Sequence, residues 1–366
     1  RDLHKEYRRQ RQMCIRDRQQ VPYGTIISDE LSRKMQQTLA SGGNIILFHN
    51  RKGFSSSLVC QDCGMASQCN RCLIPFSVQT SAPGLVCSLC GQTETTPVVC
   101  PYCASSYLNL LGFGTERLEA EIKRQFPQEN IGRLDRNMIR DDKEGQMLRE
   151  QFHKGSIRIL IGTQMLFHGK PLTPVQLVGI PYADSGLHLP DFRSAERLYH
   201  HLQNAIELIT ETDTPGHVVL QTRLPAHHVI QAVVQQKPSL FYDAELKFRE
   251  TVGYPPFIHL IQLSVLGKSQ TETEKAAHAW QENLMIQLDP MSYDRKYRNV
   301  PHDLILGPIP LDRLKHRGIY QQQLLVKMTD FNQAARIVHQ TREALKKNKK
   351  YKRLQFLINV DPLELP

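Results

Sequence analysis

The sequence is short of several things, and each absence closes a class of function. No stretch of its 366 residues approaches the roughly 20 apolar residues of a membrane span. The first residues lack a secretory h-region, so a cytosolic protein is the default reading. No G-x-x-x-x-G-K-[ST] occurs, so the chain carries no phosphate loop of its own. The nearest pattern, GTQMLFHGK at 162–170, has the wrong spacing and continues into Pro171. There is no internal repeat of 20–50 residues and no low-complexity tract, which excludes solenoid and propeller architectures. Hydrophobic content is 40% and charged content 22%, an ordinary composition for a chain with a buried core.

Acidic residues are also in deficit, giving a formal charge of +10. The excess is uneven. Residues 1–18 carry +4 and residues 236–366 carry +6, and the stretch between is neutral. A basic C-terminal part is compatible with nucleic acid. Residues 1–18 show no clear apolar period and begin at Arg1. We expect residues 1–23 to form a solvated leader of uncertain origin, joined to a fragment or a processed product.

The remainder alternates strands and helices. GNIILFH (43–49), RILIGT (158–163), VQLVGI (175–180) and HVVLQT (217–222) read as buried strands. TERLEAEIKRQF (115–126) reads as a helix with Thr115 as its N-cap. This pattern predicts a mostly parallel α/β sheet. A second unit begins near Gln235. PSLFYDAELKFRETVG, TETEKAAHAWQENLMIQL and DFNQAARIVHQTREALKK read as helices; FIHLIQLSVLG, YQQQLLVKM and RLQFLINV read as strands. The result is a compact α+β pattern.

The chemistry-bearing residues are eight cysteines in four Cys-x-x-Cys pairs: Cys60/Cys63, Cys69/Cys72, Cys87/Cys90 and Cys100/Cys103. Each pair offers two thiolates on a tight turn, and two turns complete a tetrahedral site, so eight ligands predict two structural zinc ions. All positions being sulfur, no open position remains for a catalytic water. Spacing alone leaves sequential, crossed or nested pairing open. The ninth cysteine, Cys14, lies in the leader.

These cysteines, spaced by five, fourteen and nine residues between pairs, resemble those of the PriA family of replication-restart helicases. Further matches follow in order: ILFHNRKGF (46–54), GFGTERLEAEI (112–122), IGRLDRN (131–137), RILIGTQML (158–166), ADSGLHLPDFRSAER (183–197), ETVGYPPF (250–257), LILGPIP (304–310) and NVDP (359–362). The resemblance implies the RecA-like second lobe of a superfamily 2 helicase over 24–56 and 105–235. It implies a two-zinc insertion at 57–104 and a C-terminal DNA- and partner-binding domain at 236–366. It implies nested zinc pairing: Cys60, Cys63, Cys100 and Cys103 for one ion, Cys69, Cys72, Cys87 and Cys90 for the other.

The family is an ATP-dependent 3′→5′ DNA helicase. The resemblance implies forked and D-loop DNA as partners, with single-strand-binding protein and other primosome proteins, in the cytoplasm at the nucleoid. ATP and Mg²⁺ belong to the full-length family protein. By resemblance, Gly162, Thr163 and Gln164 couple nucleotide state to DNA contact, and Asp135–Arg136 is the family's Asp-Arg pair. The basic run KKNKKYKR places Lys346, Lys347, Lys349, Lys350, Lys352 and Arg353 for phosphate contact, with Tyr351 available for base stacking. The loop with Asp184, His188 and Asp191 reads as a lobe-interface segment in which His188 packs.

The sequence departs from the family at two places. The arginine segment, Gln-x-x-Gly-Arg-x-Gly-Arg in relatives, is QNAIELITETDTPG at 203–216, with Glu207 and Thr210 in the arginine positions. His168 stands where relatives usually carry Lys. A carboxylate facing phosphate repels it, so the chain is not expected to hydrolyse ATP alone. The expected function is binding of branched DNA in replication restart, by an active motor or by an ATPase-deficient scaffold.

Overall fold

A computed structural model describes residues 26–50, 57–78, 84–110, 114–136, 138–139, 141–209, 216–288, 305–311, 317–363 and 365, and the backbone of 12–17. The described strands and helices begin with β1 (Gln12–Asp17), α1 (Asp29–Ala40), β2 (Ile45–Phe48) and β3 (Leu58–Cys60). The cysteine region adds β4 (Ser77–Val78), β5 (Leu85–Val86), β6 (Thr93–Glu94) and β7 (Leu108–Leu110). Next come α2 (Thr115–Gln125), β8 (Ile131–Leu134), α3 (Asp142–His153), β9 (Ile159–Gly162), β10 (Leu177–Ile180), α4 (Ser194–Glu207), β11 (His217–Thr222) and α5 (His228–Val234). The chain continues through α6 (Pro238–Val252), β12 (His259–Gly267), α7 (Gln270–Gln287), β13 (Ile305–Leu311), β14 (Tyr320–Met328), α8 (Phe331–Lys347) and β15 (Gln355–Val360).

Two compact units result. One comprises Arg1–Ala66, Pro97–Leu189 and Arg193–Tyr242; the other comprises Ser67–Thr96, Pro190–Phe192 and Asp243–Pro366.

The first unit is built on a six-stranded sheet in the order β1-β11-β10-β2-β9-β8, with every neighbouring pair parallel. Successive residues of each strand feed opposite faces. Ile46, Leu160, Val178 and Val218 pack with Phe152, Leu198 and Val229 of the following helices. Ile45, Ile159, Leu177 and Val219 pack with Leu31 and Met35 of α1 and Leu118 and Ile122 of α2. Burial on both faces explains why these strands read as continuous apolar runs. Among the described residues no helix is long and apolar enough to cross a membrane.

Two expectations are corrected here. Residues 12–17, assigned to a solvated leader, form edge strand β1, whose backbone pairs with β11 from Gln12↔His217 to Asp17↔Thr222. A six-residue strand inside a highly charged stretch is too short to show a period. Thr115 is not the N-cap of α2; Gly114 holds that position. The Thr115 hydroxyl instead donates to Asp135 Oδ2 at 2.6 Å.

The second unit centres on a four-stranded antiparallel sheet in the order β13-β14-β12-β15. Its chain order, β-α-β-β-α-β, is the split βαβ arrangement. Helices α7 and α8 bury Ala276, Trp280, Leu284, Ala334 and Val338 against Ile261, Leu263, Val265, Leu324, Val326 and Phe356. Side-chain caps start both helices: Ser269 accepts from Glu272 N and Asp330 from Gln333 N. The sole tryptophan, Trp280, is fully buried and donates its indole N–H to Thr341 Oγ1 at 3.0 Å.

Candidate metal centres and basic face

The four Cys-x-x-Cys turns share one backbone design. In each, the amide four residues on donates to the first cysteine's carbonyl: Gly64 N to Cys60 O at 3.0 Å, Leu73 N to Cys69 O at 2.8 Å, Gly91 N to Cys87 O at 2.9 Å, Ala104 N to Cys100 O at 2.9 Å. The first cysteine's own amide donates one residue further along, to Met65, Ile74, Gln92 and Ser105 respectively. Closing such a turn requires positive φ after the second cysteine, found at Gly64 (76°), Leu73 (51°), Gly91 (76°) and Ala104 (59°). Two sites thus meet the demand with glycine, and two hold a side chain in a conformation it rarely adopts.

The thiols assemble into two sets. Cys60, Cys63, Cys100 and Cys103 lie together in the first unit, and Cys69, Cys72, Cys87 and Cys90 in the second; within each set the sulfurs are within 4.8 Å of one another. Sγ–Sγ separations are 3.6 Å for Cys60–Cys103 and Cys63–Cys100, and 3.7 Å for Cys69–Cys90. A disulfide needs about 2.05 Å. Four sulfurs about 2.3 Å from one zinc, at tetrahedral corners, stand roughly 3.8 Å apart. The donor chemistry and spacing of both sets therefore fit a tetrahedral zinc ion.

The two sets differ in exposure. Cys69, Cys72 and Cys87 are buried, whereas Cys103 is exposed and Cys63 half-buried. Mutual hydrogen bonding splits the inner thiols. Accepting from Cys72 brings Cys69 down to about 7, and accepting from Cys69 holds Cys90 far below the usual thiol range. Their donors Cys72 and Cys87 are pushed up through the same contacts with Cys69.

The inner set is fastened within its own unit. Tyr254, fully buried, donates its hydroxyl to Cys72 O at 2.8 Å. Its ring stacks on Phe192 at 4.3 Å and 6°. The Lys327 ammonium lies 4.4 Å from the Tyr254 ring centroid, and Arg249 Cζ lies 5.3 Å from that of Phe192. A Cβ at Gly91 would meet Ile309 Cγ2 at 2.8 Å, so the inner turn approaches β13 as closely as glycine permits. No sequence signal marked Tyr254, Phe192 or Lys327. Only the match of 250–257 and 183–197 to family motifs touched two of them.

The other expected residues fall as follows. Gly162 ends β9, Thr163 follows it, and Gln164 opens a 3₁₀ turn (Gln164–Phe167), all at the carboxyl edge of the parallel sheet. Such edges hold ligands in α/β folds. Arg149, missed in the sequence, pins the loop that follows by donating to Lys170 O at 2.9 Å and to Met165 O. Asp135 accepts from Thr115 and Met138 N and pairs with Arg133 at 3.2 Å; Arg136 is exposed. Asp184 is buried and accepts from Thr222 Oγ1 and, at 2.6 Å, from Arg223 N, which makes it a cap for the end of β11. His188 is buried and held neutral, its pKa pushed down to about 4 by desolvation.

Gln203 and Glu207 lie in the last turns of α4, where Gln203 donates to the Tyr199 hydroxyl at 3.2 Å. Thr210 lies outside the described residues. Lys346 and Lys347 end α8; Lys349 and Lys350 lie in the 3₁₀ turn Lys349–Tyr351, and Lys352 and Arg353 follow. All six cations are exposed, with Lys346 also 3.4 Å from Glu343. Tyr351 is half-buried and packs on the core of its unit.

Residues 250–363 match the family model described as the Primosomal protein N C-terminal domain. Over 344 residues, 92% of this chain, the sequence is 32% identical to replication restart protein PriA of Bacillus subtilis, of which it covers 41%. The chain is similar to replication restart protein PriA along nearly its whole length. PriA of Synechocystis is 36% identical over 306 residues, 82% of this chain and 35% of that protein. PriA of Treponema pallidum is 33% identical over 306 residues, 84% of this chain and 45% of that protein. The chain thus spans less than half the length of the curated relatives it matches. Among solved structures, the Hef helicase domain of Pyrococcus furiosus aligns at 13% identity over 53% of this chain and 25% of that one. Its TM-score is 0.26, a likeness too slight to define the fold further.

Proposed function

We propose that this chain binds forked or branched DNA in replication restart, as the second motor lobe, cysteine ribbon and C-terminal domain of a PriA-like ATP-dependent 3′→5′ helicase. The carrying observation is the PriA likeness, at about one third identity, running across both units. The six exposed cations from Lys346 to Arg353 supply phosphate contacts. Zinc in each cysteine set holds the ribbon without reacting, because four sulfurs leave no open position. In this reading the cytoplasmic nucleoid is the site of action, and single-strand-binding protein and primosome proteins are partners.

The whole protein would take ATP and Mg²⁺ between two lobes, with Gly162, Thr163 and Gln164 coupling nucleotide to DNA. A second reading, an ATPase-deficient scaffold, is favoured by Glu207 standing on α4 in an arginine position and by His168 in place of Lys. ATP hydrolysis by the complete protein, with and without forked DNA, separates the two. High DNA-stimulated turnover, unchanged when 206–210 are reverted to the family pattern, removes the scaffold reading. Binding is tested by anisotropy: a chain that fails to prefer a fork over blunt duplex at moderate salt refutes the DNA reading.

A further inference from the structure

Lys327 is 1% exposed and forms the second residue pair of the β12–β14 ladder, Leu260↔Lys327, next to His259↔Met328. Its ammonium donates to Val252 O at 3.4 Å and sits over Tyr254. Phe192 already covers one face of that ring, so the lysine occupies the other. A carbonyl and a π face are weak compensation for a buried cation, which ordinarily needs an anion close by. Among the described residues no carboxylate lies within ion-pair distance of it. Burial pushes its pKa down to about 8, and the nearby sulfurs of Cys72, Cys90 and Cys87, once ionised, are the charges that favour the protonated form.

Zinc binding deprotonates its thiols, so an ion held by four cysteines carries a net charge of −2. At the inner set three of the four ligands of that dianion are buried, which limits its screening by solvent. Arg71, between two ligands, is half-exposed and correspondingly screened. We propose that Lys327 is the counter-cation of the inner zinc site, a positioning residue that holds the metal's negative charge inside the C-terminal unit. Tyr254 completes the link, one face carrying the cation and its hydroxyl fastening Cys72. The inference rests on the zinc reading of the inner set, and its test separates the two.

The test compares Lys327→Gln, which can still donate to Val252 O without charge, with Lys327→Arg, in the full chain. Zinc per chain is counted by elemental analysis, and release to a chromogenic chelator is followed in time. A Cys103→Ser variant assigns the phase that belongs to the outer set. The outer partners of metal ligands typically affect affinity about 10- to 100-fold, and Lys327→Gln is expected to weaken the inner site by that factor while leaving the outer phase unchanged. Lys327→Arg should recover most of the loss. Unfolding followed by Trp280 fluorescence gives the deciding sign. Removing the charge lowers the melting temperature of the zinc-loaded chain, but holds or raises that of the metal-stripped chain, where the cation has lost its anion. A drop of equal size in both states assigns Lys327 to packing and overturns the proposal. So does an inner release rate unchanged within twofold in a chain that holds two zinc ions. Fewer than two zinc ions in the parent chain overturns the metal reading beneath it. If Lys327→Gln is insoluble, Lys327→Met gives the same comparison of signs.

Discussion

Acid should destabilise the first unit through two buried histidines. Burial pushes His188 down to about 4. Burial, then the neighbouring charges of His228 and His188, push His227 down to about 3. His227 also accepts from Val229 N at 3.3 Å through Nδ1, capping α5, and a protonated ring cannot accept. Unfolded, each ring titrates near 6.5. Between 6.5 and the native values the unfolded chain therefore binds more protons than the folded one, so stability falls as pH falls. It is fully present above pH 6.5 and the loss saturates below the native pKa values. The slope is about 1.4 kcal/mol per pH unit for each histidine, or about 2 kcal/mol each and ~4 kcal/mol together between pH 7 and pH 5. The assay is urea unfolding followed by far-UV circular dichroism at both pH values, for the parent and for His188→Gln/His227→Gln. Proton competition for zinc is common to both chains and drops out of the difference. The double variant should lose about 4 kcal/mol less over this interval. Equal losses in the two chains would refute the reasoning.

The outer zinc should leave first under chelation, because Cys103 is exposed while three inner ligands are buried; a single release phase in a chain with two zinc ions would contradict this. Replacing Lys346, Lys347, Lys349 and Lys350 by Gln should flatten the salt dependence of fork binding, since each lost phosphate contact lowers the log–log slope by about 0.9. A slope unchanged within error would make the run a solvated helix end. Trp280→Ala, at the centre of the α7–α8 core, should cost ~3–5 kcal/mol in urea unfolding of the second unit, the cavity adding to the lost hydrogen bond with Thr341.

Sequence periodicity locates the elements of both cores because their burial is local. YQQQLLVKM reads as a strand and is β14 over the same nine residues. Its faces are another matter. Leu324 and Val326 alternate with Gln323, Leu325 and Lys327, and alternation of this kind ordinarily means a solvated polar face. Here Gln323 is fully buried and Lys327 is 1% exposed, so the second face is covered as well. No local pattern announces that, because the covering residues come from elsewhere in the chain: Tyr254, Phe192 and the inner turns. The cysteine spacing likewise predicts tetrahedral sites but leaves the pairing open, since pairing depends on how four separate turns meet. Leu73 and Ala104 could not be read as positive-φ positions, because the glycine that signals them occurs at only two of the four turns.

The cysteine segment illustrates how a region too small for its own core is stabilised. A stretch of about 45 residues buries too little surface to fold by hydrophobic contact alone. Its contacts are correspondingly divided: Ser67–Thr96, with the inner set and the β4-β5-β6 sheet, belongs to the C-terminal unit, and the flanking turns with the β3–β7 pair belong to the other. In each case a glycine sets the approach. A Cβ at Gly64 would meet Arg223 Cβ at 2.7 Å, and one at Gly91 would meet Ile309. A metal that binds only the folded set stabilises the unit that set belongs to, by RT ln(1 + [Zn]/Kd), or about 4 kcal/mol at a thousandfold excess over Kd. Loss of the inner zinc should therefore register at Trp280, some 190 residues away in sequence, because Cys90 and Trp280 share one unit. Loss of the outer zinc alone should leave that signal where it was. If chelation emptied the inner set and the Trp280 transition did not move, the inner turns would be passengers on the C-terminal sheet, and not part of what holds it folded.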